Sequence, residues 1–424
     1  MINLKKYTIS VVGLGYVGLP LAIEFGKKTK VIGYDSDKKR IISLNKGRDL
    51  NNELEKKQIL KSKYVKFTHN IEDLHESNIH IIAVPTPVNK KNIPDLKKIK
   101  FACKNISKVL KKNDIVIFES TGFPGLTEEV CIPIIEKISK LIHNKDFYSG
   151  YSPERINPGD TKNTLTNIVK ITSGSNPKTS KLIDNLYKAI IKKGTFLASS
   201  IKVAEAAKVI ENAQRDINIA FINELSIIFD KFNINTNEVL QAASTKWNFL
   251  KFYPGLVGGH CIGVDPYYLS YKSKKLGYDP KIISSGRKIN DNYYKHISHK
   301  IDKTIKNRYR NQKLKVLILG ATFKENCSDF RNSKSILLYN DLLKKKIKVD
   351  IFDPLVDQNL FNKKTNIKIS KKMKLHYYHL IILAVSHKIF IKMGEIKIKK
   401  SLIKNGILFD FKNTFKFNNK NFYF

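Results

Sequence analysis

No stretch of this chain's 424 residues approaches the ~20 consecutive apolar side chains that a bilayer-spanning helix requires, so a helical membrane anchor is not expected. Cysteine is scarce as well. The four present, Cys103, Cys131, Cys261 and Cys327, form neither a CxxC pair nor a cluster, which argues against a zinc site and a disulfide framework and suits reduced thiols. The first residues, Met1 to Lys6, lack the apolar core of a signal peptide and lead straight into a strand pattern, so an unexported, cytoplasmic protein is expected, with no membrane partner. Acidic side chains are few, 37 against 77 basic ones, and the formal charge of +40 raises nucleic-acid binding as a function class. Arginine, however, stands only at positions 40, 48, 155, 215, 287, 308, 310 and 331. The surplus is lysine, spread through every segment. It offers neither the arginine forks that read base edges nor the charge blocks of a basic arm, so it reads as solvated surface and no nucleic-acid partner is expected.

What is present is a full core's worth of apolar residues, 42% of the chain, over a length that suits two or three domains. Short apolar runs alternate with helical patterns through the first part, the signature of a parallel sheet flanked by helices. The clearest strands are Tyr7 to Val12, Val31 to Tyr34, Ile79 to Val84 and Ile115 to Phe118, with helices over Leu19 to Lys28 and Leu96 to Leu110. From Ile201 to Phe232 runs one long helical pattern rich in alanine and free of Pro and Gly. A second series of strands follows at Leu314 to Leu319, Val349 to Phe352, His379 to Val385 and Ile407 to Phe409, before an Asn-, Lys- and Phe-rich tail from Asn413 to Phe424. The expected architecture is α/β: two Rossmann-like doubly wound lobes, residues 1–200 and 306–424, joined by a long central helix and helical middle domain, residues 201–305.

Gly13-Leu14-Gly15-Tyr16-Val17-Gly18 follows the first strand and opens the first helix, the context in which GxGxxG carries weight. Gly13 permits the tight turn, Gly15 lets backbone approach a pyrophosphate, Gly18 allows close helix packing, and the helix N-terminus offers amides and positive dipole. Asp35, at the end of the second strand, stands where a carboxylate accepts both adenosine ribose hydroxyls and repels a 2′-phosphate. This favours NAD over NADP, although Arg40 close by leaves the phosphorylated cofactor open. A dinucleotide fold by itself does not make a dehydrogenase.

Cys261 lies in Pro254-Gly255-Leu256-Val257-Gly258-Gly259-His260-Cys261-Ile262-Gly263-Val264-Asp265, a glycine-dense loop in which backbone amides can surround a bound group. Most cysteines are small core residues, but these flanking glycines argue against close side-chain packing. If a helix begins there, Asp265 shares a face with Cys261 and a thiolate faces the positive end of the helix. On the long helix Glu205, Lys208 and Asn212 fall on one face, able to hold an oxyanion or a water if that face meets the cysteine loop, and otherwise an ordinary polar stripe.

The motifs GLGYVGLP, Glu119-Ser120-Thr121, Tyr151-Ser152-Pro153-Glu154, AEAAKVIEN, GGHCIGVDP and FKENCSDFRNS occur in this order, and with them the chain up to about Lys412 resembles the UDP-glucose/GDP-mannose dehydrogenase family. That resemblance implies an NAD-binding first lobe, a UDP-sugar-binding last lobe and a homodimer, or higher homo-oligomer, built on the central helix. It implies a four-electron oxidation at C6 of a nucleotide sugar with two NAD in succession. Cys261 is then the nucleophile, passing through a thiohemiacetal to a thioester. Lys208 stabilises oxyanions, Asn212 binds substrate, Asp265 and Thr121 position a water, and Glu154 is the base for hydrolysis. Glu154, Arg155, Lys208, Asn212, Gly258, Phe323 and Lys324 fall to the substrate. Gly13 to Gly18, Asp35, Arg40, Thr86, Ser120, Thr121 and Arg331 fall to NAD.

Two departures narrow the substrate. Val264 stands where many family members have a lysine before the motif aspartate, and Pro158 where several have a second glutamate, so those roles do not transfer. The stretches Thr245 to Phe249 and Asp265 to Leu269 are instead similar to the UDP-N-acetylhexosamine branch. UDP-N-acetylglucosamine leads, for surface polysaccharide synthesis, with UDP-N-acetylgalactosamine, UDP-N-acetylmannosamine and UDP-glucose behind it. A non-catalytic NAD-binding regulator competes, and Cys261, Lys208, Asn212, Thr121 and Glu154 occurring together speak against it. His260 is expected to be a mere neighbour of Cys261, Cys327 structural, and Tyr267 and Tyr268 packing or pocket wall. No metal is expected.

Overall fold

The computed structural model describes residues 3–51, 54–156, 164–309, 312–410 and 412–415; Pro158 and most of the tail lie outside them. The chain falls into two compact units, residues 1–211 with 267–279 and residues 212–266 with 280–424. The expected middle segment is thus divided between the two.

The first unit is built on eight strands: β1 (Ile9–Val12), β2 (Val31–Tyr34), β3 (Val65–Thr68), β4 (Ile79–Ile82), β5 (Ile115–Phe118), β6 (Tyr148–Tyr151), β7 (Lys170–Gly174) and β8 (Thr195–Leu197). They are ordered β3-β2-β1-β4-β5-β6-β7-β8. Every pairing is parallel except β6 with β7. Strands β1, β2, β4 and β5 are buried along their whole length, which is why they read as largely apolar runs rich in Val and Ile instead of alternating patterns. The strand order reverses between β1 and β4, and beyond the carboxyl ends of such a pair lies the crevice that α/β sheets use for ligands. Of the expected strands, β2 and β5 match their bounds and β1 and β4 are each trimmed at one end; β3, β6, β7 and β8 are additional.

The second unit carries an all-parallel sheet of β9 (Lys315–Leu319), β10 (Lys348–Phe352), β11 (Tyr378–Leu383) and β12 (Leu402–Asp410), ordered β10-β9-β11-β12. Its opening repeats that of the first unit. Gly320 follows β9 at φ 96° as Gly13 follows β1 at φ 94°. Asp353, after β10, accepts from Ala321 N at 2.8 Å, as Asp35, after β2, accepts from Leu14 N at 2.9 Å. The repeat then diverges. Thr322 takes the place of Gly15, and the Asp353 carboxylate is also engaged by the buried His387 at 3.0 Å.

The helix Ile201–Phe232 matches its expected bounds, and its 32 residues span about 48 Å. Its second half runs beside the helix Lys281–Arg308, and polar contacts at helical spacing fix the pair in register. Arg287 bonds Asp216 at 2.6 Å, Asn223 donates to Asn290 at 2.8 Å, Ser226 meets Tyr293 at 2.8 Å, and His296 meets Asp230 at 2.9 Å. Among the described residues no helix is long and apolar enough to cross a membrane.

Candidate active site

In the first unit the glycine turn does three separate jobs. Gly13 has φ 94°, and a Cβ there would press to 2.9 Å from Ala83 O. A Cβ on Gly18 would stand 1.9 Å from Gly13 O, so the helix Gly18–Phe25 packs on its own turn only because that position has no side chain. A Cβ on Gly15 would meet nothing within 4 Å. That open side, together with a helix start that no side chain caps, is what a pyrophosphate needs: close backbone approach and unclaimed positive dipole. Asp35 is fixed by Leu14 N on Oδ2 and Asp37 N at 3.0 Å on Oδ1, leaving lone pairs toward a ribose diol. Arg40 is buried beneath this turn. Its guanidinium bonds Leu14 O and pairs with Asp49 at 3.1 Å, so it braces the loop from below. The residues fit NAD.

The ends of β4 and β5 are stitched into one rim. Thr86 Oγ1 donates to Thr121 O at 2.8 Å, Ser120 Oγ to Val84 O at 2.7 Å, and Tyr268 OH to Thr86 O at 2.9 Å. Tyr268 is thereby a buried brace for the Pro85-Thr86-Pro87 turn. Glu205 leaves the expected polar stripe: its carboxylate accepts from Gly125 N at 2.5 Å and from Thr127 N and Oγ1 at 2.9 and 2.7 Å, and burial pushes it up to about 7. It anchors the Gly122 to Thr127 loop to the long helix. Arg155 reaches the same helix through Glu211 at 2.9 Å and also donates to Val169 O at 2.8 Å.

Glu154 follows β6 and is buried. Oε1 accepts the amides of Arg155 and Ile156 at 2.6 and 2.5 Å, while Oε2 faces Lys170 Nζ at 3.5 Å. Lys170 bonds Glu119 at 2.5 Å, and Tyr187 donates to the other oxygen of Glu119 at 2.5 Å. Burial pushes Glu119 up to about 7, against the pull of Lys170. The sequence reading missed Lys170 and Tyr187 altogether and took Glu119 only as part of a motif.

In the second unit the cysteine loop is clamped at both ends. Asn223 binds Gly255 through both its amide groups, at 2.9 and 3.1 Å. A Cβ on Gly258 would lie 2.5 Å from Asn332 O, and one on Gly259, at φ 86°, 2.4 Å from the Phe323 ring. Phe323 and Asn332 thus sit directly on the glycines of the loop. Cys261, exposed, opens a helical turn: its carbonyl accepts from Val264 and Asp265 amides at 3.0 and 2.8 Å, and the helix Asp265–Lys275 follows. Asp265 is buried one turn beyond Cys261, as the spacing predicts, and its carboxylate receives the Asn212 side-chain amide at 2.6 Å. Asn212 in turn stands one helical turn after the buried Lys208 on Ile201–Phe232.

His260 turns to the segment carrying Phe323 to Ser333. Its ring lies edge-on to Phe323, and Nε2 is 3.4 Å from Asp329. Asp329 also receives the Arg331 guanidinium at 2.6 Å, and these contacts hold its carboxyl far below the usual carboxylate range despite burial. Arg331 is exposed. Lys324 places its carbonyl on Thr322 Oγ1 at 2.8 Å and near Cys327 Sγ at 3.4 Å, so Cys327 serves the loop's shape. Among the described residues none of the cysteines is in a disulfide.

A dinucleotide cradle in one unit and an exposed thiol in a clamped glycine loop in the other define an NAD-dependent dehydrogenase of the two-lobed type. Residues 7–191, 202–292 and 317–417 match the NAD binding, central and UDP binding domains of the UDP-glucose/GDP-mannose dehydrogenase family, and the chain belongs to that family. It is an NAD-dependent UDP-sugar dehydrogenase. It is similar to the UDP-N-acetyl-D-glucosamine 6-dehydrogenase of Salmonella typhi, 51% identical over 97% of each chain. The Pseudomonas aeruginosa protein of the same name is 49% identical over 96% of this chain and 97% of its own. Among solved structures, the UDP-D-ManNAc dehydrogenase of Pyrococcus horikoshii superposes with a TM-score of 0.86 at 28% identity, over 98% of both chains.

Proposed function

We propose that this protein oxidises the C6 alcohol of UDP-N-acetylglucosamine to the carboxylate, through a thioester on Cys261. The observation that carries this reading is the sequence of contacts from Cys261 to Asp265 one turn on, and from Asp265 to Asn212. An alcohol taken only to an aldehyde needs no nucleophile; reaching the acid requires a tetrahedral adduct before the second hydride departs, and an exposed thiol in a glycine loop supplies it. Bound NAD supplies the hydride acceptor for each of the two oxidations. The cradle of Gly13 to Gly18, Asp35, Thr86, Ser120 and Thr121 would hold it, and the family resemblance adds Arg331 to the residues that serve NAD. Lys208 and Asn212 stabilise the oxyanions that form at C6, and Asp265 with Thr121 orients a water. Glu154 takes a proton from the hydrolytic water. Gly258, Phe323, Lys324 and Arg155 bind the nucleotide sugar.

The choice of N-acetylglucosamine rests on the relatives near 50% identity that carry that substrate in their names. The acid product serves cytoplasmic assembly of surface polysaccharide. Val203, Ile210, Phe221, Ile228 and Phe232, exposed along the long helix, form the seam of a homodimer. The test is incubation of the enzyme and NAD with a panel of UDP-hexoses and UDP-N-acetylhexosamines, scored by mass for the uronate. Preferred conversion of the gluco N-acetyl sugar is expected; preference for the manno or galacto epimer, or for UDP-glucose, overturns the substrate.

A further inference from the structure

Four side chains, of which only Glu154 has been given a role in the reaction, meet at the carboxyl end of the first sheet. Strands β5 and β6 run parallel, with Phe118 beside Tyr151, so Glu119 and Glu154 follow their strands at the same edge. Strand β7 pairs antiparallel with β6. Its first residue, Lys170, therefore lies at the edge where β5 and β6 finish; a parallel β7 would have put that lysine at the opposite end. Tyr187 arrives from the helix Pro177–Lys188. All four are buried.

The charges do not balance. One ammonium, Lys170, stands between two carboxylates, bonding Glu119 at 2.5 Å and Pro153 O at 2.9 Å and facing Glu154 at 3.5 Å. Two carboxylates against one ammonium leave one negative charge in excess, and a buried unmatched ion is costly, which favours a proton on this set, in line with the raised Glu119. Glu154 Oε1 is pinned by two amides and cannot turn away. Its Oε2 is buried and has an ion partner but no hydrogen-bond donor among the described residues. An oxygen so placed is one that a water fills. Arg155, next in sequence, turns its guanidinium to Glu211 and Val169 O.

We infer that Lys170 and Glu119, with Tyr187, are positioning residues that aim Glu154 and fix the charges it faces during thioester hydrolysis. This rests on the reading of Glu154 as the base. In the step itself, water gives a proton to Glu154 and its oxygen bonds to the thioester carbon. The carbon–sulfur bond then breaks, releasing the uronic acid and the Cys261 thiolate. When Glu154 becomes neutral, Glu119 still matches Lys170, so no buried cation is stranded. The Tyr187 hydroxyl steadies Glu119 in its charged form.

The test uses the whole enzyme with NAD and UDP-N-acetylglucosamine, following rapid NADH formation, steady turnover against pH, and the intact mass of the protein. Lys170→Met removes the shared cation at nearly the same volume. It is expected to keep the NADH burst, lower steady turnover about a hundredfold and accumulate the acylated protein. Its acid limb should move up by about one pH unit or more. Glu119→Gln gives Glu154 sole claim on Lys170, and its acid limb should move down. Tyr187→Phe, which removes only one hydroxyl, should move it down by less. Opposite displacements from neighbours in one cluster are not the signature of general loosening. Loss of the burst together with turnover in Lys170→Met and Tyr187→Phe, or acid limbs that stay in place, overturns the inference. Glu154→Gln separates the two claims: if it fails to accumulate acylated protein, the base assignment falls; if it accumulates it and Lys170→Met does not, the positioning network alone falls.

Discussion

Asn212 donates its side-chain amide to Asp265 across 2.6 Å, with both residues buried. The bond ties the long helix to the turn that carries Cys261, because Asp265 N also bonds Cys261 O at 2.8 Å. Asn212→Ala would leave a buried carboxylate without this donor and free the cysteine turn. Turnover is expected to fall about a hundredfold, with the NAD dissociation constant within about twofold of wild type, as measured by kinetics and by NAD titration. A large loss of NAD binding would show that Asn212 serves the other unit instead.

The three glycines of the turn should fail differently. Gly18→Ala drives a methyl into Gly13 O and should lower the melting temperature by several degrees and impair folding. Gly15→Ala meets nothing and should fold normally, yet raise the KM for NAD tenfold or more by filling the approach to the pyrophosphate. Paired melting curves and NAD kinetics distinguish the two.

Arg40 decides a question the sequence left open. Buried against Leu14 O and Asp49, it should contribute to stability and not to cofactor choice. Arg40→Ala removes the cation paired with the buried Asp49 and is expected to cost about 3 kcal/mol by denaturant unfolding, with the preference for NAD over NADP unchanged. A gain or loss of NADP turnover without loss of stability would put Arg40 at the ribose.

Glu205 and Glu119 are carboxyl groups that burial has raised to about 7 in the fold. The folded chain therefore holds protons that the unfolded chain releases near pH 4.5, and both groups make stability fall as pH rises from about 4.5 to about 7, with no further loss from them above it. Urea unfolding across this window should show that slope. Glu205→Gln should flatten its share of it while lowering stability overall, since an amide donor would then face Gly125 N. An unaltered slope in the variant would mean that Glu205 is ionised throughout.

Much of this was legible in the chain because some positions admit few residue types. The Gly13 to Gly18 turn announces itself since Gly13 must take φ 94° and Gly18 must lack a Cβ. The helix Ile201–Phe232 reads to the residue because its alanines and the lack of Pro and Gly leave no competing pattern. The helix Lys281–Arg308 escaped notice: it holds Gly286 and a polar pattern, explained only by its partner, where a Cβ would touch Ala220 at 3.5 Å and where Asp216 awaits Arg287. Lys170 was invisible for a related reason. It is one among 77 basic residues, and what makes it special is the antiparallel pairing of β6 with β7, a non-local fact. Helical spacing sets Glu205 beside Lys208 and Asn212, but its partners, Gly125 and Thr127, lie far off in sequence and could not be read from that spacing.

The proposed route through a Cys261 thioester fixes the number of hydrides that leave C6. The most direct measurement is the number of NADH formed for each UDP-N-acetylglucosamine consumed, in the wild type and in Cys261→Ser. The wild type should give two, with no free aldehyde accumulating, and Cys261→Ser should bind NAD normally yet form almost no acid. A wild-type ratio of one, or undiminished acid from Cys261→Ser, would contradict the account.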